Sequence, residues 1–280
     1  MIVALPRDRL EKLLLALVCA ATVFFAFVTP PFQAPDENQH YMKALLLAEG
    51  RVLTEKRGEM IGAELPRSAL DIEAVDFQAE VPPVQRVFDS KVLERSAAAD
   101  ASRPGTAFAD FPNVANYAPT LYAAGAVGLK AGTMLGLPRI ETFYVGRFAN
   151  ALAGLALLAV ALLLLPFGRM AMLGVALLPT FVYQTGSLSP EAIINGLGFL
   201  GLALALRTGF MGTERAQVVG LFVTAPLLAL AKGVYLPLMA AGLRLPSDRR
   251  DLRPWLILGA MAAGAILFAL WMKMSGGSQA

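Results

Sequence analysis

Apolar side chains in this chain come in long unbroken runs, not in the strict alternation of a half-buried sheet. No side chain from Leu13 to Pro35 is charged. About 20 such residues cross the ~30 Å hydrocarbon core of a bilayer, so this run predicts a first transmembrane helix. Arg7, Arg9 and Lys12 lie just before it. A cleaved signal peptide has the same polarity but an apolar core of only about 7–15 residues, so the run reads as an uncleaved anchor. Six further apolar segments follow: Thr142–Phe167, Met170–Gly186, Ala192–Leu206, Val218–Ala231, Gly233–Leu243 and Trp255–Met272. Val218–Ala231 and Gly233–Leu243 are short. They form either a tight antiparallel pair turning at Lys232 or one bent, tilted element.

The chain between Gln33 and Arg139 is polar and of mixed charge. Asp36 follows Pro35, and Gln39 stands three residues on, the spacing of a capping box. A helix is predicted from there through Leu45, Leu46 and Leu47 to a stop near Gly50. Ser96–Asp110 is rich in Ala, Asp, Ser and Gly and reads as loop. Tyr117–Leu137 reads as an amphipathic helix at the membrane surface, because Lys130 and several glycines interrupt it. The expected fold is all-α: a polytopic transmembrane helical protein of about seven spans with a long extracytoplasmic first loop. Its expected divisions are residues 1–32 (cytoplasmic N-terminus and first span), 33–141 (loop), 142–274 (helix bundle) and 275–280 (tail).

Composition agrees with the pattern. The 280 residues are 56% hydrophobic and 16% charged, against about 45–50% and about 25% for soluble domains. With the N-terminus inside, cytoplasmic loops hold Arg169, then Arg207 and Arg215, then Arg244, Arg249, Arg250 and Arg253, while Thr185–Glu191 outside holds no Lys or Arg. That is the positive-inside pattern of a multi-pass inner (plasma) membrane protein, with the bilayer as its first partner. The net charge of +3 is not gathered into one patch, so no nucleic-acid partner is expected. Cys19 is the single cysteine, which excludes a disulfide and Cys-based zinc spacings.

Candidate chemistry concentrates where the first span leaves the bilayer. Asp36, Glu37 and His40, the single histidine, share one helical face at spacings of three and four. Partial desolvation at a membrane boundary suits a carboxylate to general-base work. The same trio offers oxygen and imidazole ligands to a divalent cation, the one cofactor suggested. The structural alternative is that Asp36 caps the helix, Glu37 meets its dipole and His40 is solvated. Further polar groups fall at the same outer level: Tyr117 before Pro119; Arg147 and Asn150; Gln184, Ser187, Ser189 and Glu191; and Lys232. Ionisable groups at membrane depth are costly and mark sites or pathways. Snorkelling cations, a first-turn carboxylate and interhelical hydrogen bonds are the structural readings of the same residues.

In order and spacing, Pro35-Asp36-Glu37 with His40, Tyr117-Ala118-Pro119, Arg147 with Asn150, Ser187-Leu188-Ser189-Pro190-Glu191, and Lys232 before Gly233 and Tyr235 resemble a family of bacterial membrane proteins. This is domain of unknown function 2142, itself similar to the GT-C glycosyltransferase superfamily. The resemblance implies a sugar transferred outside the membrane from a polyprenyl-phosphate-linked donor to an envelope acceptor. Asp36 would be the base, with Glu37 and His40 orienting it or holding a metal. Arg147 and Lys232 would meet the carrier's phosphate. Glu191 stands where the resemblance leads one to expect Asp. The alternative function is a non-catalytic subunit or accessory of surface-polysaccharide assembly or export. A transporter fits less well, since paired broken helices and internal repeats are missing. Nucleotide-phosphate loops and a GxSxG elbow are missing too, so a lipid-borne donor suits the chain better than a soluble sugar nucleotide.

Overall fold

A computed structural model describes residues 7–74, 104–246, 248 and 250–277. The expectations for residues 1–6, for most of the Ser96–Asp110 loop and for the last three tail residues fall outside that range. The order is α1 (Arg7–Val28), α2 (Glu37–Ala48), β1 (Glu55–Arg57), β2 (Met60–Pro66), α3 (Arg67–Ala74) and β3 (Thr106–Asp110). It continues with α4 (Ala123–Met134), α5 (Arg139–Leu164), α6 (Arg169–Ala176), α7 (Pro179–Thr185), α8 (Glu191–Met211), α9 (Arg215–Ala231), the 3₁₀ segment Gly233–Gly242 and α10 (Arg253–Gly277). Among the described residues, four helices are long and apolar enough to cross a membrane: Arg9–Val28, Arg139–Leu164, Glu191–Met211 and Arg253–Ser275. The protein is therefore a mostly helical membrane protein, as its apolar runs predict.

Two of the remaining apolar segments differ from the expected continuous spans, while Val218–Ala231 lies within the continuous α9. Met170–Gly186 is broken into α6 and α7. Leu178 precedes Pro179 and is extended (φ −58°, ψ 135°), as the proline ring demands of its neighbour. Gly233–Gly242 is 3₁₀ rather than α, with Pro237 inside it. It runs beside α8 in the same direction: Gly198 and Gly201 lie against Leu238 and Met239, and Gly209 lies against Gly242. A side chain at Gly209 would run into the Gly242 carbonyl, and one at Gly242 into that of Ala205. α9 runs the opposite way along α8, with Gly220 against Leu204 and Leu228 against Gly201, so α9 and this segment form the antiparallel pair turning at Lys232, one of the two arrangements left open by sequence.

The long loop is not all-α. It carries a three-stranded antiparallel sheet in the order β1-β2-β3, with Gly62 opposite Asp110 and Leu65 opposite Ala107. The stretch read as loop up to Asp110 thus ends in a strand, and the tail from Ser275 begins inside α10. The sheet is not a separate module. Leu65, Phe111, Tyr41, Leu45 and Leu46 share one buried cluster with Phe143, Leu188, Ile194 and Leu228 of the bundle. α4 spans about 18 Å, too short to cross. Its Gly128 and Gly132 lie against Val145 and Thr142 of α5, and its outer face carries Val127 and Lys130.

The alternate ends of the helices collect at one level. Arg147 near the start of α5 reaches carbonyls at the end of α1. Gly186, after α7, lies against Thr22 and Ala26 of α1. Glu191 at the start of α8 pairs with Lys232 at the end of α9. Trp271 near the end of α10 donates its indole N–H to the Asn116 carbonyl of the loop (2.7 Å). The loop therefore sits on the end of the bundle to which the polar residues point.

Candidate functional site

Between α1 and α2 the chain turns through Pro30, Pro31 and Pro35, which cannot extend either helix. Phe32 (φ 62°) and Asp36 (φ 54°) both adopt the left-handed region, at a cost of about 1–3 kcal/mol for each non-glycine residue held there. Packing holds Phe32 in place: its ring lies 4.9 Å from that of Phe143 and 5.6 Å from that of Tyr41. Its N–H donates to Glu37 Oε2 (3.0 Å). The expected capping box does not form. Asp36 makes no side-chain cap, and Gln39 Oε1 instead accepts from the Asn113 N–H (3.3 Å).

Glu37 and Arg147 form a wholly buried, two-pronged ion pair, with Nη2 to Oε2 at 2.6 Å and Nε to Oε1 at 3.0 Å. Glu37 also accepts the Leu188 N–H (2.7 Å). Arg147 donates its remaining hydrogens to the carbonyls of Ala26 (2.9 Å), Thr29 (2.6 Å) and Pro30 (3.3 Å). All five guanidinium donors are thereby used. The planar group lies over Phe143 and Tyr144, 4.9 and 5.6 Å from their centroids. Asn150, one turn further on α5, donates to the carbonyls of Ser187 (3.0 Å) and Ser189 (2.7 Å). These three residues tie α1, α2, α5 and the turn before α8 into one frame.

Against this frame sits a cavity of about 160 Å³. Asp36 lies exposed at its edge beside Ala34 and Pro35; Asn113, Val114 and Tyr117 come from the loop. His40 forms part of the wall, and Gln184, Ser187, Ser189, Glu191 and Lys232 close the far side. The Asp36 carboxylate makes no hydrogen bond or ion pair among the described residues. Lys232 Nζ donates to Glu191 Oε1 (2.9 Å), which leaves two ammonium hydrogens for a ligand. Burial works against its charge, but the Glu191 hydrogen bond and charge raise it above the ordinary lysine value.

His40 is the most perturbed of these groups. Burial, and then the Lys232 charge, lower it to about 4, so it is neutral at pH 7. Its Nδ1 lies 2.9 Å from the Tyr122 hydroxyl, and its ring stacks on Tyr117 with centroids 6.1 Å apart. Burial raises the Tyr122 phenol well above its ordinary value, so it keeps its proton. With the phenol as donor to Nδ1, the imidazole proton sits on Nε2. Lys43, one turn along α2, is buried and donates to the carbonyls of Ala115 (2.9 Å) and Val52 (3.3 Å). Burial lowers it to about 8, and its bonds pin the segment that presents Tyr117.

The sequence-derived candidates thus divide in two. Asp36, His40, Tyr117, Gln184, Ser187, Ser189, Glu191 and Lys232 converge on one cavity. Glu37, Arg147 and Asn150 stand behind it as its frame. The roles expected of Glu37 and Arg147 need correction. Every donor of Arg147 is spent inside the protein, so it cannot meet a phosphate. Glu37 accepts four hydrogen bonds and neither orients an acceptor nor binds a cation. The trio of Asp36, Glu37 and His40 therefore makes no joint metal site. Among the described residues, no three His, Cys, Asp or Glu side chains converge on a metal position. Tyr122 and Lys43 are the residues that sequence reasoning missed. Lys43 was signalled by its place three residues after His40 on one helix; for Tyr122 the only signal was its closeness to Tyr117.

Fold and site together define a class: a multi-pass helical membrane protein with a polar cavity where one end of its bundle meets a folded loop. The chain belongs to the family described as predicted membrane protein, domain of unknown function 2142, whose family model matches residues 19–279. No curated protein and no solved structure matches it.

Proposed function

We propose that this protein is a membrane glycosyltransferase of the inner membrane. It moves a sugar from a polyprenyl-phosphate-linked donor to an envelope acceptor hydroxyl, in a cavity on the extracytoplasmic face. It would make seven passes, three of them through the shorter or broken segments, with the cytoplasmic N-terminus that the positive-inside pattern favours. The observation that carries the reading is that Asp36, whose carboxylate has no partner among the described residues, and Lys232, with two donors left beside its Glu191 bond, line one cavity. In the transfer the acceptor oxygen attacks the anomeric carbon while Asp36 takes its proton. The bond from that carbon to the phosphate oxygen breaks, and its electron pair leaves with the carrier phosphate. Lys232 stabilises that charge. His40 Nε2–H and the Tyr117 hydroxyl, both on the cavity lining, would hydrogen-bond sugar hydroxyls. The lipid tail stays in the bilayer with the phosphate at headgroup depth.

The test uses Asp36→Asn and Lys232→Ala in cells. Each is expected to abolish a surface glycan while the protein still accumulates in the membrane. Glycan unchanged in both variants would instead mark a non-catalytic accessory of surface-polysaccharide assembly or export. That alternative draws on Glu191, which already neutralises Lys232.

A further inference from the structure

About 20 Å along α5 from Arg147, at the opposite end of the bundle, a second cavity of about 480 Å³ lies between α1, α5 and α6. Its walls are apolar, formed by Leu15 of α1 and Leu162 and Leu163 of α5, and its rim is charged. Lys12 is exposed and has no partner among the described residues. Arg169 lies across from it, with Nη1 3.6 Å from Glu11 Oε2. Among the described residues, two cations against one carboxylate leave the rim net positive. Arg169 also opens α6, whose N-cap, Gly168, supplies no side-chain cap to the first N–H groups. That end of the helix therefore adds a partial positive charge.

The surroundings select the occupant. Leu163 is 74% exposed, and Leu13 and Leu17 of α1 are more than half exposed. In a membrane-spanning bundle such side chains face hydrocarbon. A small water-soluble anion would satisfy the rim and leave the apolar walls bare, whereas a neutral lipid would do the reverse. The volume lies in the range of about 300–1,000 Å³ typical of ligand pockets. We propose that this groove binds one anionic glycerophospholipid, its phosphate between Lys12 and Arg169 and an acyl chain along Leu15, Leu162 and Leu163. The site is separate from the polar cavity and does not depend on the transferase reading.

The experiment titrates the full chain, stripped of lipid in a neutral detergent, with phosphatidylglycerol and in parallel with phosphatidylcholine. Bound copies are counted by native mass spectrometry. One phosphatidylglycerol is expected to bind at least tenfold more tightly than phosphatidylcholine. Each cation removed should cost about fivefold, so Lys12→Gln with Arg169→Gln should weaken binding roughly twentyfold or more. Leu163→Trp keeps both charges and fills the groove from an exposed position that tolerates change, and it should weaken binding as well. Glycerol phosphate at the same concentration should not displace the lipid. Equal binding of the two lipids would mean that Lys12 and Arg169 serve only to set orientation. That result, or unchanged binding in the Leu163→Trp variant, overturns the proposal. Should the double variant fail to fold, the lipid comparison and Leu163→Trp decide between the outcomes.

Discussion

Replacing Arg147 by alanine leaves the Glu37 carboxylate buried with half of its hydrogen bonds gone and the carbonyls of Ala26, Thr29 and Pro30 without their donor. Removing one partner of a buried pair costs about 3–5 kcal/mol, so Arg147→Ala should lower unfolding stability in detergent by that order. Arg147→Lys restores the charge but not the fork, and should recover only part of the loss. Asp36 gives the contrasting case one residue before Glu37. It is exposed and without a partner among the described residues, so Asp36→Asn should leave the unfolding midpoint almost unchanged. As general base it should carry a factor of about 10²–10⁴ in rate, readable as transfer from a polyprenyl-phosphate sugar in membranes. A large stability loss from Asp36→Asn, or a small one from Arg147→Ala, would contradict this division of labour.

At the level of elements, α2 is the piece that joins loop to bundle, and its face carries Glu37, His40 and Lys43 together. Because His40 falls from an ordinary 6.5 to about 4 on folding, the unfolded chain binds a proton first as the pH drops. Stability from this group is complete above about pH 6.5 and drains away toward pH 4. The expected loss is about 2 kcal/mol by pH 5. His40→Gln should flatten that slope, as seen by comparing unfolding at pH 7.5 and pH 5. The 3₁₀ segment Gly233–Gly242 packs Leu236 and Met239 into the core and also brings its own backbone at Gly242 against Ala205 and Gly209 of α8. Gly242→Leu should therefore force the segment away from Ala205 and shift Lys232, costing both stability and transfer. Gly233→Ala, with only ordinary contacts to Phe268 around its new methyl group, should cost far less.

Across the whole molecule, two ends of the bundle differ in kind. One gathers the loop, the polar cavity and the frame behind it; the other carries Lys12, Arg169 and a groove with apolar walls. The proposed orientation has a direct check. In a Cys19→Ser background, a membrane-impermeant thiol reagent applied to intact cells should label Gly136→Cys, between α4 and α5. It should leave Thr213→Cys, between α8 and α9, unlabelled until the cells are opened. The reverse pattern would place the cavity in the cytoplasm and remove a lipid-linked donor on the outer face from consideration.

By itself, the sequence determined that the protein is a helical membrane protein, where most of its apolar helices lie, and which polar residues depart from the apolar background. Those properties follow from local composition: hydrocarbon tolerates only self-satisfied backbone and apolar side chains, so the long runs and their interruptions are visible residue by residue. Tertiary structure alone decided which interruptions are functional candidates and which are struts. Asp36 and Glu37 are chemically alike and adjacent, and they part company only because Arg147, 110 residues later, meets one of them. The sheet escaped notice for a related reason, since β2 pairs with β3 some 40 residues away and neither strand shows a clear alternation alone. Partnership across such distances is set by tertiary packing, in which α2, the sheet and the start of α5 share one core, and no window along the chain contains it.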